Sequence, residues 1–136
     1  MEYAKKLTVF VVDDDPLYRA YLAKHLQKEL SVDLELYDSA ELCMDALKKR
    51  PDLIILDYFL DSEETGNKSG WEALMLIKRC EPDVPIIMLS SAPNIEYMMD
   101  CIKFGAEDYI IKSAYTIQRI KTIMNELFEH KSWSWM

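Results

Sequence analysis

The sequence has little of what would make it a membrane, secreted or nucleic-acid-binding protein. No apolar run approaches the roughly 20 residues that a membrane span needs. The opening "MEYAKKLTVF" has neither an extended apolar core nor a small-residue cleavage site, so no signal peptide is expected. Only 16 lysines and arginines stand against 24 aspartates and glutamates, for a net charge of −8. With no basic stripe or cluster to neutralise phosphates, the chain is not expected to bind nucleic acid by itself. The three cysteines, Cys43, Cys80 and Cys101, are far apart and lie in no CxxC pair. They exclude a disulfide framework or thiolate metal site and suit reduced thiols in the cytoplasm. His25 and His130 are each isolated, with no partner at metal or catalytic spacing. Linkers, repeats and low-complexity segments are absent too.

What is present is one domain's worth of chain, 136 residues of which 50% are apolar. Apolar runs alternate with segments of helical period. Val9–Val12, Leu34–Tyr37, Leu53–Leu56, Ile86–Leu89 and Tyr109–Ile111 read as short strands, several of them apolar on every residue. Runs of that kind belong to strands buried on both faces. Between them, helices are expected over 16–30, from Ser39 to about Lys49, from about Gly70 to Cys80, over 94–104 and from Ile117 to about Glu129. Gly105 takes the C-cap of the fourth helix. The only long polar stretch is "DSEETGNKSG", ending at Gly70. A (βα) unit repeated five times implies right-handed crossovers and a parallel sheet covered by helices on both faces.

In such a fold ligands bind beyond the carboxyl ends of the strands, and the unusual polar residues all follow strands. Asp13 and Asp14 follow the first, Asp57 the third, Ser90 the fourth and Lys112 the fifth. Converging carboxylates are costly unless a cation neutralises them. Mg²⁺ suits such a set, because it takes one or two carboxylates and completes its shell with water and phosphate. Lys112 can pair with Asp57 and then with an incoming phosphoryl oxygen, and Ser90 can donate to another. Metal, ammonium and hydroxyl are what phosphoryl transfer requires, and the nucleophile would be a carboxylate giving an aspartyl phosphate. Asp15 stands apart: with Pro16 after it, it is placed as the N-cap of the first helix.

These features resemble the receiver domain of response regulators, through "VVDD", "LIILDY", "IIMLSS" and "GAEDYIIK" in order, from about Leu7 to Leu127. The resemblance implies a flavodoxin-like (βα)5 domain over residues 1–130 with strand order 2-1-3-4-5, leaving 131–136 as a disordered tail. It implies that Asp57 accepts a phosphoryl group from a histidine kinase or phosphotransfer protein. Asp13 and Asp14, with Asp57 and the backbone carbonyl of Phe59, would hold Mg²⁺. Ser90 and Lys112 would read the phosphate, and Tyr109 would change rotamer with Ser90. The readout would lie on the surface of the fourth helix, fifth strand and fifth helix, which could also form a homodimer, in a switch that is not an enzyme.

The sequence departs from the family pattern in several places. The segment between Asp57 and Gly70 is about five residues longer than usual, Asp61 stands where proline is common, and Ser91 replaces a smaller residue. Lys112 is followed by Ser113 where the family usually has a cis-proline; either this bond is cis, at about 3 kcal/mol, and keeps the lysine aimed, or it is trans and the lysine sits differently, and the site geometry favours cis. Two rival readings follow from the residues. One is a haloacid-dehalogenase-type phosphatase with its DxD at Asp13 and Asp15. The other is a pseudo-receiver whose Phe59, Ser91 and long loop block phosphorylation. Tyr97, Met98 and Met99 suit an adaptable partner surface, with at least one of them in the core, and Trp133 and Trp135, beyond the last helix, suit either a docking patch or a disordered end, disorder being favoured.

Overall fold

The computed structural model describes residues 6–59 and 69–129. Five parallel strands, β1 (Leu7–Val12), β2 (Val32–Tyr37), β3 (Leu53–Asp57), β4 (Ile86–Ser90) and β5 (Asp108–Ile111), form one sheet in the order β2-β1-β3-β4-β5. The helices between them are α1 (Pro16–Glu29), α2 (Ala40–Asp45), α3 (Gly70–Cys80), α4 (Ile95–Lys103) and α5 (Thr116–Met124).

The alternation of side chains along each strand explains the all-apolar runs. Phe10, Val12, Ile54, Leu56, Ile86 and Met88 face one side of the sheet, where Ala40, Cys43, Ala73, Leu74, Ile77 and Cys101 of α2, α3 and α4 cover them. Val9, Val11, Leu53, Ile55, Ile87 and Leu89 face the other, beneath Leu22, Leu26, Ile117, Ile120 and Ile123 of α1 and α5. Each run supplies two cores at once, which is why no polar position interrupts it. The three cysteines are all free, Cys43 and Cys101 buried and Cys80 exposed. Among the described residues no helix is long and apolar enough to cross a membrane.

Local chemistry sets most of the element ends. Ser69 and Glu72 make a capping box that starts α3, with Ser69 Oγ 3.3 Å from the Glu72 amide and Glu72 Oε1 3.1 Å from the Ser69 amide. Asn94 accepts from the Tyr97 amide at 3.0 Å and starts α4. Several ends differ from the sequence reading, β1 starting at Leu7 and α5 giving way to a π-helical turn after Met124 among them. β2 begins at Val32, two residues early, because it pairs along the whole of β1 from Leu7 to Val12. The α-helix expected to reach Lys49 stops at Asp45 and continues as a 3₁₀ turn over Leu47–Lys49. Arg50 then takes a left-handed conformation, φ 57°, since the following Pro51 disfavours the right-handed helical region there.

Asp15 is the N-cap of α1: its Oδ1 accepts from the Leu17 amide at 3.0 Å, and Pro16 fills the first helical position. Asp15→Ala is expected to lower stability to urea by about 1 kcal/mol, and Asp15→Ser by a few tenths at most. Equal losses in the two variants would mean that charge, not capping, is what Asp15 contributes.

Candidate functional site

The carboxyl ends of β1 and β3 lie side by side, Val12 opposite Leu56, so the residues that follow them meet. Asp13 is 1% exposed and Asp57, the last residue of β3, is 4% exposed. With the half-buried Asp14 they bring three carboxylate oxygens within 4.8 Å of one another. Backbone groups hold the acids in place. The Asp15 amide donates to Asp13 Oδ1 at 2.9 Å, and the Phe59 amide lies 3.4 Å from Asp57 Oδ1. One guanidinium nitrogen of Arg19 donates to the Asp13 carbonyl at 2.6 Å.

Lys112 reaches the cluster from the far side of β4. Its amide donates to the Ser90 carbonyl at 2.8 Å, and its Nζ lies 3.3 Å from both Asp13 Oδ2 and Asp57 Oδ1. The sequence reading paired Lys112 with Asp57; the structure adds Asp13 on equal terms. The ammonium also rests 4.3 Å from the centre of the Tyr18 ring.

Among the described residues the ammonium of Lys112 lies against Asp13 and Asp57, the two buried acids of the three. Burial, and then the neighbouring Asp13, push the Asp57 carboxyl up to about 6, against the opposing pull of Lys112. Asp13 is raised as well, again mainly by burial, with the Asp15 amide and Lys112 working the other way. For Lys112 burial favours the neutral amine, but Asp57 and Asp13 together outweigh it and hold the ammonium charged. Three hard oxygen donors brought this close together form a set suited to a divalent cation such as Mg²⁺.

Ser90 ends β4 and is fully buried. Its Oγ donates to the Ala92 carbonyl at 3.3 Å and accepts from the Ala92 amide at 3.0 Å. The Tyr109 hydroxyl donates to the same carbonyl at 3.1 Å. Two donors therefore share one acceptor in the loop leading to α4. Tyr109 is 6% exposed, with its ring edge-on to Tyr58 at 6.1 Å. Tyr58, next to Asp57, stacks on Tyr97 of α4 at 4.7 Å and 17°, and the exposed Phe59 packs edge-on to both.

The cis bond expected after Lys112 is corrected: no peptide bond among the described residues is cis. A secondary amide strongly favours trans, and local hydrogen bonds order the turn in that form. The Ser113 amide donates to Thr116 Oγ1 at 2.8 Å, and Ser113 Oγ accepts from the Tyr115 amide at 3.0 Å. The long segment with Asp61 lies outside the described residues, as do His130, Trp133 and Trp135. His25 sits against the Tyr21 ring at 4.6 Å, away from the acidic cluster.

The sequence reading missed Tyr18, Tyr58 and Gly70. Tyr18 lies in the first turn of α1, where a helix over 16–30 gives it no separate role. Its signal is position, since the first turn of a helix after β1 stands over the carboxyl edge of the sheet.

Comparison with known proteins agrees with this fold. The family profile described as "Response regulator receiver domain" matches residues 9–125. The chain is 32% identical over 121 residues to the nitrogen assimilation regulatory protein NtrX of Azorhizobium caulinodans, covering 89% of this chain and 26% of that protein. It thus spans about a quarter of the length of the first curated relatives it matches. Among solved structures it is similar to the receiver domain of NtrX from Brucella abortus. That match has a TM-score of 0.77 and 27% identity, over 89% of this chain and 98% of that one. A CheY-like receiver protein from Methanospirillum hungatei JF-1 shares the fold at a TM-score of 0.80 and 20% identity, over 96% of this chain and 100% of that one.

Proposed function

The chain belongs to the family of response regulator receiver domains, and from that premise we propose that Asp57 accepts a phosphoryl group from a phosphohistidine. The donor is a histidine kinase or a histidine phosphotransfer protein of a cytoplasmic two-component relay. The observation that carries the reading is the cluster in which Asp13, Asp14 and Asp57 converge, with the ammonium of Lys112 against Asp13 and Asp57.

Asp13, Asp14 and Asp57, with the carbonyl of Phe59, would hold Mg²⁺, which supplies charge neutralisation to the acids and the transferring phosphoryl group. A carboxylate oxygen of Asp57 forms the new bond to phosphorus as the P–N bond of the donor breaks. The electron pair leaves on the imidazole nitrogen, which is protonated from solvent. Lys112 exchanges an aspartate oxygen for a phosphoryl oxygen. Ser90 Oγ gives up the Ala92 carbonyl, which it shares with Tyr109, to donate to a second phosphoryl oxygen, and Tyr109 changes rotamer with it. The rearranged β4–α4 loop then alters the surface of α4, β5 and α5, where an output partner or a second copy of the chain docks. The chain is a switch that assists its own phosphorylation and dephosphorylation, and it does not turn over a separate substrate.

Incubation with Mg²⁺ and a small acyl phosphate, followed by intact-mass measurement, tests this. One alkali-labile phosphoryl adduct is expected, absent from Asp57→Asn. No adduct would favour a pure interaction module. Sustained hydrolysis of phosphomonoesters that survives Asp57→Asn but not Asp13→Asn would favour a phosphatase.

A further inference from the structure

The ammonium of Lys112 has more than its two carboxylate partners around it. Both ion pairs are 3.3 Å long, well beyond the roughly 2.7–2.9 Å of a strong charge-assisted hydrogen bond. Neither carboxylate therefore fixes the nitrogen tightly. The third side is taken by the face of Tyr18, with Nζ 4.3 Å from the ring centre, inside the distance at which a ring quadrupole attracts a cation. Tyr18 is itself held firmly. It sits on α1 against the core face that includes Leu22, Ile117 and Ile120, and its ring lies 5.6 Å from that of Tyr21. Its hydroxyl, buried beside Thr116, makes no hydrogen bond of ordinary geometry. What Tyr18 offers the site is therefore the ring.

We propose that Tyr18 is a positioning residue for Lys112, its ring face holding the ammonium over the acidic cluster while leaving it free to change partners. This deepens the phosphoacceptor reading and rests on it. The physical reason lies in what a π face does not do. A carboxylate or amide at this position would give the ammonium a directional hydrogen bond that must break before a phosphoryl oxygen could take it. An aliphatic side chain would attract it only weakly. A ring attracts the charge over its whole face, so Nζ can slide from an aspartate oxygen to a phosphoryl oxygen without losing that contact.

The test uses the whole chain with Mg²⁺ and a small acyl phosphate, reading the rate of adduct formation by intact mass. Tyr18→Leu is expected to slow the rate about three- to tenfold, and Tyr18→Phe, which keeps the ring, is expected to restore it. In a Lys112→Ala background, Tyr18→Leu should have no further effect, because the group it acts through is gone. The Lys112 ε-methylene protons should be shifted upfield by the ring in the unsubstituted chain and in Tyr18→Phe, and should return downfield in Tyr18→Leu. Thermal melts check that Tyr18→Leu is folded.

A full rate in folded Tyr18→Leu overturns the inference and leaves the phosphoacceptor reading standing. The same fold-loss in the Lys112→Ala background overturns it too, since the effect would then be structural. An unsubstituted chain that forms no adduct overturns the phosphoacceptor reading and this inference with it.

Discussion

In metal-free buffer at about pH 7.5, Asp57→Asn is expected to be more stable to urea than the unsubstituted chain, by about 2–3 kcal/mol. The cause is the carboxyl pushed up to about 6 in the folded protein from an ordinary value of 3.8. Below both values the acid is protonated whether the chain is folded or not, and it contributes no difference. Between about 3.8 and 6 the unfolded chain releases the proton while the folded chain keeps it. The folded state then binds more protons, so stability falls as pH rises. Above about 6 the loss is complete and constant. Asparagine has no such proton, so its advantage should grow across that window and vanish below it. Asp13 is raised in the same direction and should add to the slope of the unsubstituted chain. Mg²⁺ should close the gap, because a ligand at about a hundred times its dissociation constant stabilises the folded state by about 2.7 kcal/mol. Asp57→Asn, with one carboxylate fewer, should gain less. A variant no more stable than the parent at neutral pH would mean that Lys112 compensates the Asp57 charge in full.

A carboxylate that destabilises the fold when ionised leaves a cost that a bound cation would relieve.

Gly70→Ala is expected to do the greatest damage of any single methyl group added near the site. A Cβ at Gly70 would overlap the carbonyl oxygen of Asp57 and stand 2.6 Å from Tyr58 Cα and 2.8 Å from the Asp57 carbonyl carbon. All three are backbone atoms, and the Gly70 amide donates to the Tyr58 carbonyl at 3.1 Å. Neither side can yield as a flexible side chain would, so a loss of about 3 kcal/mol or more is expected in urea unfolding. Because the displaced atoms belong to Asp57 and Tyr58, adduct formation should fall in the fraction that still folds. Gly105 is a useful contrast. Its φ is +105°, and the nearest atom to an added Cβ is the flexible Lys78 Cε at 3.0 Å. Gly105→Ala should cost about 1–2 kcal/mol, from backbone strain alone, and should leave adduct formation unchanged. A Gly70→Ala protein as stable as the parent would show that the start of α3 can withdraw from β3.

Much of the fold was legible because burial on both faces leaves a coarse signature. "VFVV", "LIIL" and "IIML" each feed two cores, and no other use of such runs at this spacing competes with a covered parallel sheet. The end of α2 was less legible. Periodicity carried the reading to Lys49, whereas the geometry before Pro51 required a tighter turn and a left-handed Arg50. Such a turn depends on how the chain must enter β3, which no local pattern states.

For the site, the sequence by itself determined which groups meet. Once the strands were placed, Asp13, Asp57, Ser90 and Lys112 had to share one edge of the sheet, because each follows the carboxyl end of a parallel strand. Asp15 as a cap could be read from Pro16 beside it. Only the tertiary structure decided what each group touches. Lys112 lies between Asp13 and Asp57 over the Tyr18 ring, and Ser90 and Tyr109 share the Ala92 carbonyl. Gly70 lies against the backbone of Asp57, and Lys112–Ser113 is trans. The difference has a physical reason. The number of strands and their parallel polarity follow from patterns repeated along the chain, whereas an ammonium's partners depend on side-chain directions from α1, β1, β3 and β5, set only when the helices pack onto the sheet.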